Sequence, residues 1–227
     1  MIYAISDLHL DITKEKDMNV FGDSWDDYEN RIFNNWEIIK DDDLVLIAGD
    51  ISWAMTLEDA KLDLSRIDSM PGEKILLKGN HDYWWSSLNK IINCDFKTLK
   101  FLQNNAFVYK DTRICGTRAW MSKDDPDFSA HDEKIFSREL NRLELSLTSP
   151  IGVFDETIVM LHYPPFNRDG SPNEFEEVFK SHNVSTVIYG HIHGKHANLT
   201  PEGNINGIQY ICTSADKLEF KPYLVRS

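Results

Sequence analysis

The feature that most constrains this chain is the alternation in its first eighty residues, where short apolar runs are separated by stretches of helical periodicity. Ile2-Tyr3-Ala4-Ile5-Ser6 predicts a buried strand that ends at Asp7. After a polar loop containing Gly22, the spacing of Tyr28, Ile32, Trp36 and Ile39 predicts a helix over 25–39. Leu44-Val45-Leu46-Ile47-Ala48 predicts a second strand, closed by Gly49-Asp50. A helix is expected over 56–69, with Thr56 as N-cap and Asp59 at the third helical position. Pro71-Gly72 then turns the chain into a strand over 74–78 that ends at Gly79-Asn80-His81-Asp82. Strands joined through helices pair in parallel, because a parallel neighbour needs a long crossover. The fold class is therefore α/β.

The middle is less regular, with short strands expected over 107–109 and 113–115 around Lys110-Asp111-Thr112, and a charged helix over 132–147. Strands are expected again over 157–161, 186–189 and 208–213, with a helix over 174–181. No repeat, low-complexity tract or linker divides the sequence, so residues 1–227 are expected to form one domain. Polar residues interrupt every apolar run before it reaches bilayer length, and Met1-Ile2-Tyr3-Ala4-Ile5-Ser6-Asp7 does not read as a basic and apolar leader, so a secretory signal is not expected. Cys94, Cys115 and Cys212 lie far apart without a C-x-x-C pairing, which fits reduced thiols in the cytoplasm. The formal charge of −13 disfavours extended nucleic-acid binding and leaves room for a small phosphorylated substrate at one local cationic point.

Such a point is suggested by where metal-binding residue types fall. Asp7 and His9 follow the first strand, Asp50 the second and Asn80 the third. His162 follows the strand over 157–161, and His191 and His193 follow that over 186–189. In open α/β sheets, ligands bind at the carboxyl ends of strands. Each motif alone has a bland explanation: an Asp-x-His pair is usually a loop, and Gly-Asp or Gly-Asn a turn. Their joint arrival at successive strand ends does not.

Asp7-Leu8-His9, Gly49-Asp50, Gly79-Asn80-His81-Asp82, His162 and Gly190-His191-Ile192-His193 stand in the order of the calcineurin-like metallophosphoesterase superfamily, which the chain resembles. That resemblance implies a four-layer α/β/β/α sandwich with two mixed β-sheets. It also implies two divalent metal ions (Mn, Fe, Zn or Ni), one held by Asp7, His9, Asp50 and His193. The other would be held by Asp50, Asn80, His162 and His191, with Asp50 bridging. The implied chemistry is in-line attack by a hydroxide between the metals. His81 takes the place of the family's non-ligand histidine and is assigned to leaving-group protonation, with Asp82 as its supporting residue.

One departure narrows the branch. The protein Ser/Thr phosphatases of this superfamily continue past Gly-Asp with x-x-Asp-Arg-Gly, whereas here Asp50 is followed by Ile51-Ser52-Trp53-Ala54-Met55. The chain resembles instead the bacterial and archaeal phosphohydrolases, acting on a phosphomonoester or phosphodiester, nucleotides among them. Trp53, Tyr83, Trp84 and Trp120 lie on the motif loops; they either pack the interface beneath those loops or form a stacking wall for substrate, with Arg118 as a phosphate contact. His131 and Arg168 are weaker candidates, and His182 and His196 are read as surface residues. Two other functions compete: an inactive scaffold on the same fold, disfavoured by the intact ligand set, and a nuclease, disfavoured by the charge.

Overall fold

A computed structural model describes residues 1–13, 16 and 18–227 of the chain, and the side chains of Val20 and Phe21 lie outside the description. Among the described residues the elements run β1 (Ile2–Ile5), α1 (Tyr28–Asn35), β2 (Leu44–Ile47), α2 (Leu57–Asp68), β3 (Glu73–Leu77), α3 (Leu88–Ile92) and β4 (Leu99–Leu102). They continue through β5 (Phe107–Tyr109), β6 (Thr112–Thr117), α4 (Ala130–Leu147), β7 (Glu156–Leu161), α5 (Phe175–Ser181) and β8 (Thr186–Tyr189). The last are β9 (Gly203–Ile205), β10 (Ile208–Cys212) and β11 (Tyr223–Arg226).

Two mixed sheets result. One has the order β11-β1-β2-β3-β4, and the other β5-β6-β7-β8-β10-β9. Within each, the interior strands run parallel, and β11, β5 and β9 pair antiparallel at the edges. The interior strands are nearly continuous apolar runs because both of their faces are covered. Alternate residues Ile2, Ala4, Leu44, Leu46, Ile75 and Leu77 of the first sheet meet Ile114, Ile158, Met160, Ile188 and Ile211 of the second. The opposite face of the first sheet packs Ile5, Val45 and Ile47 on Ile32, Trp36, Leu64 and Ile67 of α1, α2 and the turn after α1. The opposite face of the second packs Val159, Leu161 and Val187 on Phe136, Leu143, Phe175 and Phe179 of α4 and α5. The architecture is the α/β/β/α sandwich.

Local expectations hold with two adjustments. Thr56 caps α2 by accepting from the Asp59 amide, and Ser129 with Asp132 closes a capping box that starts α4 at Ala130. The helix expected over 25–39 is broken, because Asp27 adopts a left-handed backbone (φ 53°) and residues 36–38 tighten into a 3₁₀ turn. What matters for the site is a junction at the strand ends. Ser6, just past β1, bridges in parallel to Ser214, just past β10, its amide donating to Thr213 and its carbonyl accepting from Ala215. The carboxyl rims of the two sheets are thereby stitched together. No helix among the described residues is long and apolar enough to cross a membrane.

Candidate metal centre

Parallel strands in register end level, so the residues that follow them share one rim: Ile5 is aligned with Ile47, and Ile47 with Leu76. The turns beyond are tight. Asp7, His9, Asp50 and His191 have φ of 58°, 45°, 51° and 75°, the left-handed region that ordinary residues avoid. Backbone strain of this kind persists where surrounding structure enforces it and clusters at functional sites. Two glycines admit the close approach that results. A Cβ on Gly79 would lie 2.1 Å from Asp50 Oδ1, and one on Gly190 would lie 2.4 Å from Asp7 Oδ2.

All seven side chains expected as ligands meet at this rim. Among the described residues, donor atoms of Asp7, His9 and His193 form one cluster and those of Asp50, His162 and His191 a second, each within 4.8 Å. Asn80 Oδ1 lies 2.6 Å from His162 Nε2 and 2.9 Å from His191 Nδ1, which attaches it to the second cluster. Asp50 stands between the clusters, its Oδ2 3.7 Å from His9 Nε2 and 3.4 Å from His162 Nε2. His193 Nε2 is 3.5 Å from Asp7 Oδ1.

The surroundings orient these donors. His162 Nδ1 faces the Ala48 carbonyl at 3.0 Å and His193 Nδ1 faces Asp216 Oδ1 at 3.2 Å, leaving each Nε2 toward the cluster. The Ser6 hydroxyl donates to Asp7 Oδ2 (2.5 Å), and the His81 amide donates to Asp50 Oδ1 (2.8 Å). Burial pushes His9 and His191 down to about 3, which keeps both imidazoles neutral, the form that binds metals. Burial opposes the charged form of His162, yet Asp50 beside it raises it to about 9. Burial also works against an ionised Asp50, and the facing His162 overrides it and holds the carboxyl below its usual range. His9 Nδ1 is buried without a hydrogen-bond partner among the described residues. A mixed carboxylate, amide and imidazole set suits Mn, Fe, Zn or Ni. The residues therefore fit a metal site.

The flanking expectations divide. Trp53 stacks on His9 with ring centroids 4.7 Å apart and lies 4.6 Å from the His81 ring, so it walls the site. Tyr83 is exposed at an edge-on 6.2 Å from His81. Trp84 is corrected: it is 1% exposed, and its indole donates to Asp82, so it packs the core beneath the loop. The supporting role expected of Asp82 toward His81 is also corrected. The Asp82 carboxylate accepts from the amides of Ile51, Ser52 and Gly79, tying the β2 and β3 loops together. The chain turns at Asp82, where the Tyr83 amide donates to the His81 carbonyl, and the His81 ring lies instead beside His9 and Trp53. Trp120 donates to Asp132 and stacks under Arg118, whose guanidinium carbon is 4.4 Å from its ring centroid. His182 pairs with Glu144 at 2.8 Å, and His131 is exposed. Arg168 and His196 line a groove of about 830 Å³ that also reaches His191.

Two supporting residues, Asp216 and Ser6, escape a reading of the sequence. Asp216 follows β10, so the strand-end rule could find it, but no motif partner draws attention to it.

A sequence profile of calcineurin-like phosphoesterases matches residues 1–195. No curated protein matches the chain. Among solved structures, the protein of unknown function AQ665 from Aquifex aeolicus is 20% identical with a TM-score of 0.52, covering 98% of this chain and 94% of its own. The phosphopantetheinyl hydrolase from Mycobacterium tuberculosis is 13% identical with a TM-score of 0.58, covering 94% and 88%. TT1561 of Thermus thermophilus is 10% identical with a TM-score of 0.52, covering 92% and 86%. At these identities the likeness is one of fold.

Proposed function

Since the chain belongs to the calcineurin-like phosphoesterase family, we propose that it is a dinuclear metal-dependent phosphohydrolase that cleaves a small phosphomonoester or phosphodiester. The observation that carries this reading is the position of Asp50, with one oxygen facing histidines of both clusters. Asp7, His9, Asp50 and His193 would hold one ion, and Asp50, Asn80, His162 and His191 the other. Two divalent ions there would supply an activated water and positive charge to stabilise the phosphoryl oxygens.

The chain's own residues do the rest. Asp216, Ser6 and the Ala48 carbonyl fix the donors before substrate arrives, so little reorganisation accompanies binding. His81 is held at the rim by the hydrogen bond from its backbone amide to Asp50, with its ring beside His9 and Trp53, and would give a proton to the leaving oxygen. The groove of about 830 Å³ beside His191, walled by Trp120, Tyr163, Phe166, Leu199 and Arg168, would take the leaving group. Three free cysteines, two of them buried, favour a reducing compartment such as the cytoplasm.

The experiment is metal analysis of the purified protein coupled to hydrolysis of p-nitrophenyl phosphate and bis(p-nitrophenyl) phosphate with Mn²⁺. Metal-dependent turnover of either supports the reading. A metal-loaded protein that cleaves neither of these nor any member of a wider ester panel overturns it.

A further inference from the structure

Beside the metal centre, a cavity of about 310 Å³ gathers Lys78, Arg118, Arg138 and Arg142 around a single carboxylate, Glu139. Four cations against one anion is an unexpected balance in a chain of formal charge −13. Glu139 is already committed: it pairs with Arg142 at 2.6 Å, lies 3.8 Å from Arg118 and accepts from the Thr117 hydroxyl. Lys78 is half-buried and its ammonium makes no hydrogen bond or ion pair among the described residues, while the repulsion from Arg118 and Arg142 is opposed by the charges of Asp82 and Glu139. Arg118 Nε is buried without a hydrogen-bond partner among the described residues. Holding an unpaired ammonium beside guanidiniums that already share one carboxylate, in a part-desolvated cavity, is unfavourable unless an anion enters it.

The cavity lies on the same rim as the proposed metals. Lys78 directly follows β3, two residues before Asn80, and Arg118 directly follows β6. The Arg118 carbonyl accepts from the amides of His162 (3.2 Å) and Tyr163 (3.0 Å), so the two sites share a backbone wall. Its volume stands at the lower end of small-molecule sites and is enough for a hydrated phosphoryl group.

We propose that this cavity is an anion subsite that takes a second phosphate, or a comparable oxyanion, of the substrate whose scissile phosphate lies at the carboxylate–histidine clusters. This rests on the phosphohydrolase reading and narrows it to substrates with at least two anionic groups. Lys78 would meet the oxyanion as a point charge and Arg118 as a hydrogen-bonding fork, with Arg138 at the mouth.

The test has two arms. Inorganic pyrophosphate is titrated calorimetrically into the full chain kept in chelator, so that metals contribute nothing. Saturable binding is expected, weakened about tenfold by Lys78→Gln and several-fold by Arg138→Gln, and kept in Lys134→Gln on the exposed side of α4. Arg138 is exposed, so its variant reports binding even if Lys78→Gln misfolds. Absence of saturable binding, or equal binding in both cavity variants, overturns the subsite. In the metal-loaded protein, Lys78→Gln should raise KM for a nucleoside diphosphate about tenfold more than KM for p-nitrophenyl phosphate. An equal effect on the two substrates overturns the assignment to substrate. Pyrophosphate binding that depends on Lys78 supports the subsite even in a preparation that hydrolyses nothing, so the two readings fail separately.

Discussion

Gly190→Ala adds one methyl group where the sheets' rims meet. Its Cβ would lie 2.2 Å from Ser6 Oγ and 2.4 Å from Asp7 Oδ2. Comfortable contact begins near 3.5 Å, so the Asp7 carboxylate must retreat by about 1 Å. It has little room to do so. Ser6 and Asp7 are fully buried, Ser6 is bonded to Asp7 and Thr213, and the His191 amide donates to both Asp7 oxygens. Metal ligands tolerate displacements of only about 0.2 Å. The ion assigned to Asp7, His9 and His193 should therefore bind at least ~10-fold more weakly, and a misplacement of about 1 Å should lower kcat/KM by about 10². Overpacking should also cost ~1–3 kcal/mol of stability. The assay is metal content by mass spectrometry after dialysis against buffered Mn²⁺, with denaturant melts alongside. Gly152→Ala, where an added Cβ meets nothing within 4 Å, serves as the matched control. A Gly190→Ala protein with wild-type metal affinity and turnover would refute the geometry argued for Asp7.

Asp50→Asn should lose both ions and nearly all activity, because a neutral amide bridges two cations poorly; retained metal on mass spectrometry contradicts the shared position of this residue. His81→Ala should keep its metals but turn over about 10²–10⁴ more slowly, with alkyl phosphates suffering more than aryl phosphates, whose leaving groups need no proton. Equal losses would remove the proton-donor role. Asp216→Asn should weaken metal binding about 10–100-fold by freeing His193 Nδ1, measured by competition with a chelating dye. Away from the site, burial lowers the Lys74 ammonium to about 8. The unfolded chain then binds the extra proton between about pH 8 and 10.4, so stability should rise with pH across that window. Denaturant melts of Lys74→Met should lack that rise, and an unchanged slope would show that Lys74 is not its source.

Much of this was legible because buried parallel strands write themselves as unbroken apolar runs. β1, β2, β3, β7 and β8 each contain such a run and are followed by a candidate ligand, while β10, interrupted by Gln209, is followed by Asp216. β4, with Lys100 inside Leu99–Leu102, and the short edge strands β9 and β11 carry too little periodicity to stand out. α3 is five residues long, below what helical spacing can reveal. The site was legible by chemistry at strand ends, whereas side-chain direction was not. Trp84 and Asp82 occupy the predicted loop yet point into the core, since a loop this tight must satisfy its own amides. The Lys78 cavity was illegible for another reason: its charges come from β3, β6 and α4 and meet only once the sheets pack.

The central claim is best tested by anomalous diffraction from crystals equilibrated with Mn²⁺. The account predicts two peaks about 3.5–4 Å apart, one near Asp7, His9 and His193 and one near Asp50, His162 and His191, with Asp50 touching both. A single peak, or peaks elsewhere on the acidic surface with this rim filled by solvent, would contradict it.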